Sequence, residues 1–128
     1  MSNQRPNGRP VILLVEDEPL LRFFVSDVLE EAGFEVIETG NAEEALTWLE
    51  VRDDVRVIFT DIQMPGSLNG LDLISCAHQR WPEVLVLVVS GGIRPSAAEL
   101  PEGGRFVAKP YEESLVLGHL REMVASAP

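Results

Sequence analysis

The sequence predicts an α/β protein, a doubly wound five-stranded parallel sheet with helices on both faces. Three observations predict it. Short apolar runs recur along the chain, segments with helical spacing lie between them, and Gly, Pro and Asn mark the junctions. Strands separated by helix-length segments imply right-handed βαβ crossovers, which lay helices on both sides of a parallel sheet.

The elements follow in order. Val11-Ile12-Leu13-Leu14-Val15 is apolar throughout, as a strand buried on both faces requires. Pro19 sits where the first helix starts, since a first-turn residue needs no N–H. Leu21, Phe24, Val25, Val28, Leu29 and Ala32 form its apolar stripe, and Gly33 stops it. Phe34 to Glu38 alternates apolar and acidic residues and reads as a strand nearer an edge. Asn41 caps the next helix, with Glu44 placed for a capping box and Ala42, Ala45, Leu46 and Leu49 on the inner face. Val55 to Thr60 is the third strand. After a loop with Pro65, Gly66 and Gly70, a helix runs from about Leu71 to Arg80, capped by Asn69, with Ile74, Ala77 and Trp81 inward. Val84 to Val89 and Arg105 to Ala108 are the last two strands, and Glu112 to Val124 is the closing helix. Gly91, Gly92, Pro95, Pro101, Gly103 and Gly104 leave room for only a short or distorted fourth helix around Ser96 to Leu100.

The length, 128 residues, suits one domain spanning 11–125 behind a flexible segment 1–10. The net charge of −11 argues against unaided binding to a phosphate backbone. One cysteine, Cys76, excludes an internal disulfide or a Cys-rich metal site. No apolar stretch approaches a membrane span and no signal core follows the N-terminus, so the expected location is the cytoplasm.

Ligands of open parallel sheets bind at the carboxyl ends of the strands. The first strand delivers Glu16 and Asp17 there, the third Asp61, the fourth Ser90 and the fifth Lys109. At about 5 Å and an effective dielectric of about 20, each pair of ionised carboxylates costs roughly 3 kcal/mol. Either a proton is retained or a cation is held, and hard oxygens with room for water suit Mg²⁺. A cation, an ammonium and a hydroxyl together can stabilise a transferring phosphoryl group, and a carboxylate can accept it. Asp61, alone at the end of the central strand, is the candidate acceptor. Each residue alone has an ordinary reading as a turn, cap or solvated loop. Their shared placement at one end of separate strands is what favours a site.

Four segments carry a resemblance. They are Val11-Ile12-Leu13-Leu14-Val15-Glu16-Asp17-Glu18, then Thr60-Asp61-Ile62-Gln63-Met64-Pro65-Gly66 with Asn69-Gly70-Leu71, then Val88-Val89-Ser90-Gly91, and Phe106-Val107-Ala108-Lys109-Pro110-Tyr111. Together they resemble the receiver domain of two-component response regulators, the CheY-like phosphoaspartate fold, over roughly Val11 to Val124. The resemblance implies a flavodoxin-like strand order 2-1-3-4-5. It implies Asp61 as phosphoacceptor, and Mg²⁺ held by Glu16, Asp17, Asp61 and the backbone carbonyl of Gln63. It further implies Ser90 as switch hydroxyl, Lys109 as the partner of Asp61 and then of the phosphoryl oxygens, a cis Lys109–Pro110 peptide, and Phe106 as switch aromatic. The implied partners are a histidine kinase or histidine phosphotransfer protein and a downstream protein target.

Two departures stand out. The loop from Pro65 to Gly70 is one residue longer than the commonest form, and the segment after Ser90 is short. The second puts the family's usual dimer surface in doubt, so a monomer or weak dimer is expected. Two other functions compete. An aspartyl-nucleophile phosphohydrolase of the haloacid dehalogenase type shares the Asp, Mg²⁺ and Lys, but it needs a general-acid Asp where this chain has Gln63. A phosphorylation-independent binding module would have no use for Glu16, Asp17, Asp61, Ser90 and Lys109 together. His78 and His119 lack metal spacing, Trp48 and Trp81 read as packing residues at helix ends, and Cys76 reads as a buried small residue.

Overall fold

A computed structural model describes residues 8–63, 69–92 and 94–126. Most of the expected N-terminal segment 1–10, and the lengthened loop, lie outside the described residues. Five parallel strands, β1 (Val11–Val15), β2 (Glu35–Thr39), β3 (Val55–Asp61), β4 (Leu85–Ser90) and β5 (Arg105–Ala108), stand in the order β2-β1-β3-β4-β5. The helices are α1 (Pro19–Glu31), α2 (Ala42–Val51), α3 (Gly70–Arg80) and α4 (Glu113–Ser126). Among the described residues, the segment after β4 holds only a 3₁₀ turn, Ala97–Glu99, as its Gly and Pro content predicts. None of the described helices is long and apolar enough to cross a membrane.

Alternation along the strands builds two cores. Leu13, Val15 and Ile58 face Ala45, Leu49, Leu73 and Ile74 of α2 and α3. Ile12, Leu14, Val57 and Phe59 face Val25 and Leu29 of α1 and Val116, Leu120 and Met123 of α4. β2 is an edge strand, consistent with its acidic alternation, and β3 is central. β1 and β3 slip register between Val11 and Ile12, with Val11 opposite Val55 and Ile12 opposite Val57. The extra residue, Arg56, reaches the last turn of α4, where its Nη2 donates to the Val124 carbonyl at 2.6 Å.

The caps explain the helix starts. The Glu18 carboxylate accepts the Leu21 N–H at 3.0 Å, and Pro19 occupies the first turn of α1. At α2, Asn41 Oδ1 accepts the Glu44 N–H at 2.8 Å, while the Glu44 carboxylate takes the N–H of Gly40 rather than that of Asn41. The full reciprocal box is at α3, between Asn69 and Asp72, at 3.0 and 3.1 Å. Gly33 closes α1 with φ +104°, a conformation that favours glycine.

Two expectations change. Leu21 and Phe24, placed by spacing on the buried stripe of α1, are 36% and 53% exposed. The apolar stripe is wider than the face the sheet covers, and the surplus lines a groove toward α4. Trp48 lies inside α2, not at its end, and is also exposed. Trp81, at the C-cap of α3, does pack against the core, with the Arg80 guanidinium 4.4 Å from its ring centre.

Candidate functional site

The strand ends converge as the parallel order requires. Asp61 is the last residue of β3 and Ser90 the last of β4, both buried. Glu16 directly follows β1 and is 7% exposed, while Lys109 directly follows β5. The ladder continues past the regular strands. Ile62 N–H donates to the Val89 carbonyl at 3.1 Å, and Lys109 N–H donates to the Ser90 carbonyl at 2.9 Å. These two bonds fix the three chemistry-bearing strand ends against each other.

Both oxygens of Asp61 are engaged. Oδ2 accepts a charge-assisted hydrogen bond from Lys109 Nζ, and Oδ1 accepts the Gln63 N–H at 3.0 Å. The Lys109–Pro110 peptide is cis. Glu16 is held by its neighbours. Its Oε2 accepts the Glu18 N–H at 3.1 Å, its backbone N–H donates to the Thr39 carbonyl, and its carbonyl accepts Arg22 Nη1 at 2.9 Å. Burial pushes the Glu16 carboxyl above its ordinary pKa, and the negative charges of Asp61 and Asp17 push the same way. The Glu18 N–H and the Lys109 ammonium oppose them. Asp17 is exposed beside it.

Phe106 lies opposite Val88 in the β4–β5 register, and Ser90 lies opposite Ala108. Phe106 and Ser90 therefore share a face of the sheet, one side-chain step apart. The Arg94 guanidinium sits 5.0 Å from the Phe106 ring centre. The structure thus brings together Glu16, Asp61 and Lys109, with Asp17 at the rim and Phe106 behind Ser90.

Sequence reasoning gave no role to three contributors. Arg22 stands at a polar position of α1, and nothing in its spacing announces a bond to the Glu16 backbone. Gly70 approaches the Asp61 main chain across a loop, which no local pattern reports. Tyr111 follows Lys109-Pro110 and walls the acidic cavity with Glu16, Phe59 and Asp61. Burial, reinforced by Glu16, Asp61 and Glu113, pushes its phenol up to about 12, so it stays neutral. His78 and His119 take no part. His119 Nδ1 instead meets Arg105 Nη1 at 3.0 Å on the outer side of β5.

The donor chemistry fits Mg²⁺. Among the described residues no three carboxylate, histidine or cysteine side chains form a ready-made metal cage. Mg²⁺ does not need one, because it is usually held by one or two carboxylates, waters and phosphate oxygens. Glu16 and Asp61 line one cavity of about 10 Å³, room for about one water, and every side-chain donor there is a hard oxygen.

Comparison with known proteins identifies the family and the fold. The family model described as the response regulator receiver domain matches residues 12–121. The chain is 30% identical over 106 residues to the chemotaxis protein CheY1 of Helicobacter pylori, covering 78% of this chain and 85% of that one. It is 35% identical over 104 residues to the nitrogen assimilation regulatory protein NtrX of Azorhizobium caulinodans, covering 78% of this chain and 23% of that one. The chain spans about a quarter of the length of the first curated relatives it matches. Among solved structures, the response regulator TrrA of Thermotoga maritima, in complex with Mg²⁺-BeF, superposes with a TM-score of 0.77 at 23% identity, covering 88% of this chain and 97% of that one.

Proposed function

Because this chain belongs to the response regulator receiver family of two-component signalling, whose members are regulatory switches, we propose that Asp61 is its phosphoacceptor. The donor is a phosphohistidine on a histidine kinase or histidine phosphotransfer protein. The observation that carries this reading is the Asp61 carboxylate itself. It is buried at the end of the central strand, with one oxygen on the Lys109 ammonium and the other on a main-chain N–H.

An Asp61 oxygen attacks phosphorus in line with the imidazole nitrogen. The new O–P bond forms as the P–N bond breaks, and the imidazole leaves with the electron pair. Lys109 moves from the carboxylate oxygen to the phosphoryl oxygens and holds the charge that Asp61 surrenders. Glu16, Asp17, Asp61 and the Gln63 carbonyl would hold Mg²⁺, which supplies further positive charge at those oxygens. The similar fold of TrrA was solved in complex with Mg²⁺-BeF, which supports Mg²⁺ as the ion. Ser90 donates its hydroxyl to the phosphoryl group, and Phe106 on the same sheet face reports the movement to a protein partner. The −11 net charge favours protein over direct nucleic-acid readout, and the short segment after β4 favours a monomer or weak dimer.

The test uses acetyl phosphate with Mg²⁺. Wild type gains about 80 Da, one phosphoryl group, and Asp61→Asn gains none. Equal labelling of the two proteins would remove Asp61 from the role.

A further inference from the structure

Arg22 holds two carbonyls of the acidic turn between β1 and α1. Its backbone N–H donates to the Glu18 carbonyl at 2.8 Å, and its Nη1 donates to the Glu16 carbonyl at 2.9 Å. The second bond is charge-assisted and comes from a side chain only 25% exposed. The Glu16 carbonyl belongs to the peptide that joins Glu16 to Asp17. That unit is planar, so holding its oxygen fixes the plane from which both acidic residues depart. On its other side, the Glu16 N–H donates to the Thr39 carbonyl at 3.0 Å. The turn is thus tied twice to the end of β2. One tie is Thr39, and the other is Arg22, whose Nε lies 3.8 Å from Glu38 Oε1.

The guanidinium has space because residue 40 is glycine. An ideal Cβ on Gly40 would stand 3.0 Å from Arg22 Nη1, the same nitrogen that holds the Glu16 carbonyl. The charges that act on the Glu16 carboxyl are those of Lys109, Asp61 and Asp17. Arg22 grips the main chain instead.

We propose that Arg22 is the positioning residue of the Mg²⁺ site. By holding the Glu16–Asp17 peptide it fixes both carboxylates relative to Asp61, and so sets the affinity for the ion. This rests on Glu16 and Asp17 being Mg²⁺ ligands, as proposed above. Arg22 touches neither the ion nor the phosphoryl group. The sign of the effect separates positioning from charge. Coulomb's law alone makes Mg²⁺ bind more tightly when a nearby cation is removed. Loss of positioning makes it bind more weakly, because the carboxylates must then be ordered when the ion arrives.

The experiment titrates the full chain with MgCl₂ and follows the amide NMR shifts of Glu16, Asp17 and Gln63, with urea unfolding of each variant in parallel. R22M is expected to bind Mg²⁺ roughly tenfold more weakly than wild type, the lower end of the range for losing an outer partner of a metal ligand. G40A keeps Arg22 but sets a methyl group against its Nη1, and is expected to weaken binding roughly 2- to 3-fold by stretching the bond to the carbonyl. The double variant R22M/G40A should bind no more weakly than R22M, because the methyl acts only through the guanidinium. A folded R22M that binds Mg²⁺ as tightly as wild type, or more tightly, overturns the inference even if it is less stable, since that is how a purely structural arginine behaves. Losses that add in the double variant overturn it as well. If R22M does not fold, G40A decides alone, and a wild-type affinity there overturns the inference. A wild type whose amide shifts ignore Mg²⁺ removes the Mg²⁺ site itself. A wild type that binds, beside an R22M of unchanged affinity, removes only the role of Arg22.

Discussion

Gly70 opens α3 with its Cα turned onto the end of β3, so a methyl group placed there meets main chain. An ideal Cβ would lie 2.3 Å from the Asp61 carbonyl oxygen, 2.7 Å from Ile62 Cα and 3.0 Å from the Asp61 carbonyl carbon. Carbon–oxygen contacts settle at about 3.3–3.6 Å, so Gly70→Ala must open the contact by about 1 Å. Neither party can rotate away. The Gly70 N–H is tied to the Ile62 carbonyl at 2.8 Å, and Asp61 is a rung of the central strand opposite Val89. Overpacking costs about 1–3 kcal/mol, and the better helix propensity of alanine returns about 1 kcal/mol at most. We expect urea unfolding to show a net loss of up to about 2 kcal/mol, the top of that range less the propensity gain. Displacing the Asp61 main chain by even part of 1 Å should slow acetyl phosphate uptake by roughly 10- to 100-fold. Gly92→Ala is the control, since nothing lies within 4 Å of its Cβ, and it should stay within about 0.5 kcal/mol of wild type. Gly70→Ala with unchanged stability and unchanged uptake would refute the reasoning.

Four further outcomes are expected. Gly118→Ala, inside α4 with open space around its Cβ, should stabilise the protein by about 0.5–1 kcal/mol in the same urea measurement. Glu16→Gln should raise the melting temperature at pH 8 more than at pH 4. The Glu16 carboxyl holds its proton more firmly folded than unfolded, so stability from this residue is full below the unfolded pKa and lost as pH rises through the raised folded one. Lys109→Met leaves the Asp61 carboxylate without its ammonium and should cost about 1–3 kcal/mol at neutral pH, read by thermal melts, and abolish stable phosphoryl retention. Beryllofluoride should leave the protein's hydrodynamic size unchanged, because a single 3₁₀ turn stands where a fourth helix would present a dimer face. A clean shift to dimer in sizing measurements, mapped to that face, would contradict it.

The strands and most of the candidate site were legible because both depend on local pattern. The unbroken apolar run Val11–Val15 identifies a strand covered on both sides, and it is buried throughout. Once the strands are placed, their carboxyl ends name Glu16, Asp61, Ser90 and Lys109 without any coordinates, since a parallel sheet collects those ends at one edge. Asn41 and Asn69 mark their helices because a cap acts within one turn. What pattern does not convey is how far a neighbouring element reaches. The spacing of Leu21 and Phe24 puts them on the apolar side of α1, but whether α4 comes close enough to cover them is a tertiary matter, and it does not. The tight approach of Gly70 to Asp61 joins backbone from the two sides of a loop, and Arg22 serves a carbonyl six residues back. Neither leaves a periodic trace.

The two hydrogen bonds that extend the ladder, Ile62 to Val89 and Lys109 to Ser90, carry a practical warning for mutagenesis. They hang Asp61, Ser90 and Lys109 from adjacent crossbars, so slack in either crossbar changes the spacing between these side chains before it changes global unfolding. A substitution in the tail of β4 or β5 that alters no reactive atom can thus look, in an assay, like damage to the reactive groups themselves. Telling the two apart takes amide-exchange protection at Ile62 and Lys109, where a slackened crossbar exchanges faster and a purely chemical lesion does not.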